Sequence, residues 1–216
     1  MSNRRLRGTL EEKFRLDLAA GKKVVAGVSG GADSMAMLHF LWKNGVSVTA
    51  AHLNHCLRGA ESDGDEELVR RFCRERGIPF VCKRADVARL AKERGLGEEA
   101  CGREERYAFF AELAGEDGLI ATAHTLSDQL ETMLFRLARG TGPDGLSGIS
   151  ESRGNIIRPL LFCSREEVED YCRREKIPFA EDSTNRDPRY ARNRIRLEPV
   201  PALKKVNPGA EAHDAP

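Results

Sequence analysis

A short polar stretch, SGGADS, joins two apolar segments near the start of the chain. It carries hydroxyl groups at Ser29 and Ser34, two glycines between them, and the carboxylate of Asp33. Glycines let a backbone approach a ligand closely, and the start of a helix directs unpaired N–H groups toward an anion. A carboxylate repels phosphates unless a divalent cation lies between them. The stretch therefore predicts a site for a magnesium-bound nucleotide, with Asp33 as a direct or water-mediated ligand of the metal.

The glycines do not belong to either of two common nucleotide-binding motifs. No Gly-Lys-Ser or Gly-Lys-Thr follows them, as in a Walker A loop, and their spacing is not that of a dinucleotide-binding Rossmann motif. A Gly-Gly turn alone is weak evidence for a site. The complete SGGADS stretch between a strand and a helix is far more specific.

Apolar and amphipathic segments alternate on both sides of this loop. The predicted strands are KKVVAGV, VSVTAAHL, IPFVCKRA and LIATAH, and predicted helices, including SMAMLHFLWKNG and ESDGDEELVRRFCRERG, separate them. Strands separated by helices require crossover connections, so we expect an α/β fold with a doubly wound, mainly parallel, Rossmann-like sheet.

Two further helices are predicted in the second half of the chain. SDQLETMLFRLARG follows the last strand and is expected to direct Leu130, Leu134 and Leu137 inward. SREEVEDYCRREKIPF is expected to begin at an N-cap, Ser164, with Glu167 completing a capping box.

Three polar clusters follow predicted strands: Ser29–Ser34, His52–Arg58 and His124–Asp128. Ligands of open parallel sheets bind outside the carboxyl ends of the strands. The three clusters are therefore expected to form one site. A metal site made of His52 and His55 is not favoured, because the residues between them offer no third ligand.

Composition restricts the class of protein. The chain has 216 residues, of which 40% are hydrophobic and 32% charged, as is typical of a globular domain with a sizeable core. No apolar run approaches the ~20 residues that span a bilayer, so we expect no membrane span and a cytoplasmic location. The six cysteines include no C-x-x-C pair and are expected to be core residues.

Charge is unevenly distributed although its formal net value is only +1. The segment RDPRYARNRIRLEPVPALKK at 186–205 carries seven basic and two acidic residues. Two interpretations remain open from charge alone. The segment is either a solvated surface or a contact for the phosphates of a nucleic acid.

Recognisable motifs extend this interpretation. SGGADS resembles the pyrophosphate loop of the N-type ATP pyrophosphatases, which adenylate their substrates and share an adenine nucleotide alpha hydrolase-like fold. Three further stretches resemble the tRNA(Ile)-lysidine synthetase family: AHLNHCLRGAESDGDE at 51–66, ATAHTLSDQLETMLFRLARGTGPDGLSGI at 121–149 and EDSTNRDPRYARNRIR at 181–196. The resemblance runs from about Lys22 to Pro208.

The resemblance implies a reaction and its participants. ATP with Mg²⁺ would adenylate the wobble cytidine of tRNA(Ile) with a CAU anticodon, and the ε-amine of free L-lysine would then displace AMP to form lysidine. The implied ATP-binding residues are Val28, Ser29, Gly30, Gly31, Ala32, Asp33, Ser34, His52 and His124. The implied magnesium ligands are Asp33 and Asp128. The implied catalytic residues are Asp33, Asp128, Arg192 and Arg194.

The same resemblance implies contacts for lysine and for the tRNA. These residues are Arg58, Glu99, Arg103, Arg106, Tyr107, Glu131, Asn193 and Arg196. From spacing alone, Arg103, Arg106 and Glu131 are equally well explained as surface charges of helices. His124 is also compatible with a capping or core role.

The sequence departs from the family in two respects. Ser127 stands where the family has the first of two aspartates, which leaves the metal geometry open and makes Ser127 a candidate N-cap. Many family members also carry C-terminal tRNA-binding domains. The chain is therefore expected to be either a short form that uses a partner in a homodimer or part of a longer protein.

The domain organisation follows from these segments. Residues 1–21 are expected to form a helical extension, 22–206 the catalytic domain with a basic, partly helical part at 142–206, and 207–216 a flexible tail. Two rival functions remain. One is a tRNA thiolase, which would use a cysteine near the nucleotide, and the other is a nucleotide-binding sensor without catalysis.

Overall fold

The computed structural model describes residues 9–142, 147–180 and 191–207. The first half contains α1 (Leu10–Lys13), a 3-10 turn (Leu16–Ala19), β1 (Val24–Gly27), α2 (Ala32–Lys43), β2 (Val48–Asn54), α3 (Ala60–Arg76), β3 (Phe80–Arg84) and α4 (Val87–Arg94). The second half contains α5 (Glu98–Ala114), β4 (Leu119–Ala121), α6 (Leu126–Ala138), β5 (Ser152–Arg153), β6 (Ile156–Ile157), α7 (Arg165–Arg174), α8 (Ala191–Leu197) and α9 (Pro199–Val206). Of the predicted tail at 207–216, residues 208–216 lie outside the described residues.

The strands form one sheet in the order β3-β2-β1-β4-β6-β5. Every neighbouring pair is parallel except β5 and β6, which form a short antiparallel edge. The predicted α/β fold with a mainly parallel sheet is thus confirmed. The polar segments after β1, β2 and β4 lie at one edge of the sheet, because the carboxyl ends of parallel strands point the same way.

Apolar side chains cover both faces of this sheet. Met35, Leu38 and Leu41 of α2 belong to the larger core, to which α3 and α7 also contribute. Phe109 and Phe110 of α5 pack on the opposite face in a second core. The near-continuous apolar character of β1 follows, since a central parallel strand is buried on both faces.

Several local expectations can be compared with the structure. Ser164 caps α7 as predicted, and its hydroxyl accepts from Glu167 N at 3.2 Å while the Glu167 carboxylate accepts from Ser164 N. The prediction that Leu137 points inward is wrong, because this residue in the last turn of α6 is 57% exposed. Ser127 is also not an N-cap, since α6 begins after Thr125.

The remaining expectations concern the cysteines, the N-terminal segment and the membrane. Four cysteines are buried, and burial raises the pKa of Cys163 to about 12, whereas Cys56 is exposed. Leu10 and Phe14 of the N-terminal segment join the larger core. Within the described ranges, no helix combines the length and the apolar character needed to cross a bilayer.

Candidate functional site

The SGGADS loop is held in place by its own hydroxyl groups. Ser34 Oγ donates to Gly31 O at 2.9 Å and accepts from Ser29 N at 3.1 Å. Gly30 has a φ of +99°, a conformation that strongly favours glycine, and an added Cβ would lie 3.4 Å from Asp65 Cβ. The chain therefore turns sharply from β1 into α2, and the first turn of α2 begins at the loop. This geometry is suited to binding phosphate oxygens.

Asp33 lies in the first turn of α2 and is largely removed from solvent. Burial raises its pKa to about 6, the charge of Arg165 opposes this rise, and the carboxylate of Asp128 adds to it. Oδ1 of Asp33 is buried and accepts no hydrogen bond within the described part of the chain. A buried carboxylate oxygen without a donor is suited to a cation, so the residues fit the predicted magnesium ion.

A magnesium ion at this position would need ligands from outside the protein. The described residues contain no group of three or more His, Cys, Asp or Glu side chains that could hold a metal. Magnesium commonly takes one or two carboxylates, with phosphate oxygens and water as the other ligands. Asp33 and Asp128 together are compatible with that pattern.

Asp128 is positioned by the start of α6. Its Oδ2 accepts hydrogen bonds from Thr125 N at 2.9 Å and from Thr125 Oγ1 at 3.1 Å, which makes Thr125 the N-cap of a capping box. The carboxylate is thereby fixed near Asp33. Ser127, which stands where the first of the two aspartates was expected, is buried in the same turn and lines a neighbouring cleft.

A cleft of about 460 Å³ opens beside these carboxylates. It is lined by Ser127, Glu131, Arg165, Glu166, Glu169, Arg196, Val200, Pro201, Lys204 and Lys205. Glu131 is 2% exposed and receives a bidentate contact from Arg196, with Nε–Oε1 at 2.6 Å and Nη2–Oε2 at 3.0 Å. The spacing alone left Glu131 open as a surface charge, and its burial excludes that alternative. The cleft thus contains a carboxylate built to hold a cationic group.

The end of β2 packs against the strand that leads into the SGGADS loop. His52 is buried, its Nδ1 lies 2.8 Å from Val28 O, and burial lowers its pKa, so it is a neutral structural contact of the loop. His124, after β4, lies with Nδ1 3.0 Å from Thr122 Oγ1. Arg58 Nη2 is bound to Asp65 Oδ2 at 2.7 Å, at the start of the acidic helix α3.

A second polar group lies on the α5 side of the same edge. The Arg103 guanidinium lies 5.0 Å from the centroid of the Tyr107 ring. Burial, followed by the charge of Arg106, lowers the pKa of His55 to about 4. Glu99, in the first turn of α5, is exposed. The predicted substrate residues of α5 are therefore near the site edge but separate from the cleft of Glu131.

The predicted basic motif is only partly described. Glu181–Tyr190 and the side chain of Arg192 lie outside the described residues. Asn193 is partly buried and Arg194 exposed on α8. Among the described side chains of this motif, Arg196 lines the Glu131 cleft.

Two arginines of the site escaped the sequence analysis. Arg165 Nη2 lies 3.7 Å from Asp33 Oδ2, although its segment was interpreted only as a capped helix. Arg158 follows β6 and is 7% exposed, close to Tyr107. The sequence did contain a signal for Arg158, because an arginine that directly follows an apolar pair, as in NIIRP, lies at the end of a possible strand.

Comparisons with known proteins agree with this geometry. Residues 2–203 match the family model described as a PP-loop domain. The chain is 44% identical over 192 residues to the tRNA(Ile)-lysidine synthase of Clostridium tetani, covering 86% of this chain and 41% of the relative. It is 43% identical to the enzyme of the same name from Petrotoga mobilis, covering 86% of this chain and 61% of the relative. The chain thus spans about two fifths to three fifths of these relatives.

Solved structures show the fold alone. The U34-tRNA thiolase NcsA of Methanococcus maripaludis, solved with its 4Fe–4S cluster, superposes with a TM-score of 0.68 at 19% identity, covering 97% of this chain and 73% of the thiolase. The NMN synthetase of Francisella tularensis superposes with a TM-score of 0.54 at 16% identity, covering 82% and 72%.

Proposed function

Because the chain belongs to the PP-loop domain family, we propose that it carries out the chemistry of a tRNA(Ile)-lysidine synthetase. In this proposal ATP adenylates the ring carbonyl oxygen of the wobble cytidine in tRNA(Ile) with a CAU anticodon, and pyrophosphate leaves. The ε-amine of free L-lysine then displaces AMP. The cytoplasm, where ATP, lysine and tRNA meet, is the proposed location.

Family membership supports ATP binding at the SGGADS loop. The N–H groups at the start of α2 and the Ser29 and Ser34 hydroxyls would bind the phosphates. Val28–Ala32 and His52 would contribute mainly through backbone and packing, since the His52 side chain is buried against Val28 O. His124 would border the nucleotide from the end of β4.

Asp33 and Asp128 are the proposed magnesium ligands. Mg²⁺, when bound, would neutralise phosphate oxygens and so assist the departure of pyrophosphate. Oδ1 of Asp33 supports its role as a ligand, because this atom is buried and accepts no hydrogen bond from the described residues. The coupling between the two carboxylates supports the part of Asp128, whose charge raises the pKa of Asp33.

The single observation that carries the proposal is the buried carboxylate of Glu131 beside the phosphate loop. Lysine must be bound as a cation before its amine becomes a nucleophile, and a carboxylate removed from water holds a cation strongly. The contact of Glu131 with the Arg196 guanidinium supports this assignment, because it places a cationic group against the same carboxylate.

The remaining predicted residues are proposed to contact the tRNA. Arg103, Arg106 and Tyr107 of α5 present cationic and aromatic groups at the sheet edge, and Arg58 and Glu99 border them. Arg192, Asn193, Arg194 and Arg196 of α8 are proposed to stabilise the reacting phosphate or to bind the anticodon stem. Replacing Arg194 by Ala should lower adenylation or tRNA binding and leave ATP affinity largely intact.

A product assay tests the function directly. The chain is incubated with ATP, Mg²⁺, radiolabelled lysine and tRNA(Ile) with a CAU anticodon, and both labelled tRNA and AMP are measured. We expect both to require all components, and Glu131→Gln to abolish labelling. Glu166→Gln is the matched control, because Glu166 lines the same cleft but its side chain is 85% exposed.

Other outcomes identify the rival functions. Sulfur incorporation in place of lysine would indicate a thiolase, and ATP binding without AMP release under any condition would indicate a sensor. Either result contradicts the proposal. A homodimer is a further part of it, and a molecular mass equal to one chain in light scattering would contradict that part.

A further inference from the structure

Arg158 is an unusual residue of the sheet edge, since it is a buried cation with no anionic partner among the residues that the structure describes. The residue is 7% exposed, and its Nη1 donates to Ser150 O at 2.7 Å. Its Nε is buried and finds no hydrogen-bond acceptor within the described ranges. No carboxylate of the described residues forms an ion pair with it.

Such an arrangement is costly for the folded chain. The effective penalty for removing an ion from water is several kcal/mol, and an unmade hydrogen bond of a charged group adds to it. Neighbouring cations add to this cost, because the positive charges of Arg103 and Arg153 repel that of Arg158. A well-packed apolar residue at this position would avoid the whole penalty. The arginine is therefore better explained by a ligand than by stability.

The position of Arg158 relates it to the candidate site. Strand β6 runs parallel to β4, so the residue after β6 lies at the same carboxyl edge as the SGGADS loop. Ile157 packs in the core beneath α2, whereas Ile156 packs in the core beneath α5. By the alternation of a strand, Arg158 belongs to the α5 side.

On that side Arg158 meets an aromatic ring. Tyr107 of α5 lies close to the Arg158 guanidinium and acts to raise its pKa, against the larger effect of burial. Arg103 lies over the Tyr107 ring, 5.0 Å from its centroid. Arg103, Tyr107 and Arg158 are thus neighbours on the α5 side of the sheet edge, and we call these three residues the Tyr107 row.

We propose that Arg158 binds the target nucleotide of the RNA by donating N–H groups to one of its oxygen atoms. This inference rests on the proposed function, since it assumes an RNA substrate. An arginine has donors only, so its ligand must offer acceptors. Unstacked nucleotides of RNA are typically held by aromatic rings and guanidinium planes, the two groups of the Tyr107 row. Arg158 would thus set the target nucleotide opposite the phosphate loop.

The test measures RNA binding separately from ATP binding. Affinity for an anticodon stem-loop of tRNA(Ile) is measured by fluorescence anisotropy for the wild-type chain, Arg158→Gln and Arg158→Lys. We expect Arg158→Gln to bind the RNA at least 10-fold more weakly and Arg158→Lys to lie between it and the wild type. ATP affinity should stay within 2-fold for both. Arg89→Gln, an exposed arginine of α4, is the matched control and should equal the wild type.

A second RNA distinguishes the two possible oxygen sources. In a stem-loop with an abasic wobble position, a retained difference between wild type and Arg158→Gln assigns the contact to phosphate. A lost difference assigns it to the base carbonyl oxygen. Either result supports the proposal.

Three results would overturn the inference. Equal RNA affinities of wild type and Arg158→Gln contradict it while leaving lysidine formation untouched. A parallel loss of ATP and RNA affinity indicates a structural role instead. If Arg158→Gln does not fold, Arg158→Lys decides, and wild-type RNA affinity in that variant contradicts the proposed contact. A wild-type chain that binds the stem-loop but forms no lysidine contradicts the proposed function alone, and one that binds no RNA contradicts both.

Discussion

Replacing Arg196 by Met should destabilise the chain far more than an ordinary surface substitution. The change leaves the carboxylate of Glu131, 2% exposed, without its bidentate partner. Removing one member of a buried ion pair costs about 3–5 kcal/mol. Because the Arg196 side chain retains 20% exposure, we expect the lower end, about 3 kcal/mol. For a chain of this length, that corresponds to a fall in Tm of about 6–12 °C.

The control is an exposed pair with the same contact distance. Arg89 Nη1 and Glu93 Oε1 are also 2.6 Å apart, but their side chains are 63% and 53% exposed. Arg89→Met should therefore cost no more than about 0.5 kcal/mol. Thermal unfolding followed by circular dichroism at pH 7 compares the two variants. The double variant Arg196→Met, Glu131→Gln should recover part of the loss, because no unpaired charge remains buried.

Two outcomes would refute this reasoning. Equal Tm values for Arg196→Met and Arg89→Met would mean that water reaches Glu131 freely or that α8 separates without cost. A double variant that loses as much as the two single variants combined would mean that the two side chains stabilise the fold through separate contacts.

Three further predictions concern other parts of the molecule. Gly27→Ala should cost about 1–3 kcal/mol in denaturant unfolding, because the added Cβ would lie 2.4 Å from Phe110 Cε2, and Phe110→Leu in the same chain should restore part of it. The wild-type chain should lose stability between pH 7 and pH 4.5, because His55 takes up a proton in the unfolded chain but not in the folded one, where its pKa is about 4. His55→Gln should reduce this loss by about 1–2 kcal/mol of unfolding free energy. An unchanged pH dependence in denaturant unfolding would contradict this. Ser34→Ala should weaken ATP binding about 10-fold in calorimetry and lower Tm by about 2–6 °C, since it removes the buried hydroxyl that accepts from Ser29 N and donates to Gly31 O; an unchanged ATP affinity would mean that this hydroxyl does not shape the phosphate site.

The main elements of the fold were predictable because their signals are local. Buried strands and amphipathic helices alternate in the first half, and this order alone predicts the parallel sheet. Helix α4 was missed although Asp86 accepts from Arg89 N as an N-cap and Gly95 ends the helix in a left-handed conformation. The antiparallel edge formed by β5 and β6 could not be predicted from the sequence. Strands of two residues, such as Ser152–Arg153, have no periodicity to detect.

The site was predictable where one segment supplies it and unpredictable where distant segments meet. Thr125 could have been found as the N-cap, because Asp128 follows it by three residues, as a capping box requires. The contact of Arg165 with Asp33 could not, since these residues are separated by more than a hundred others. The pairing of Glu131 with Arg196 has the same origin, because α6 and α8 meet only in the folded chain. The proposed phosphate site can thus be inferred from one segment, whereas the proposed contacts of the second substrate depend on side chains that only folding brings together.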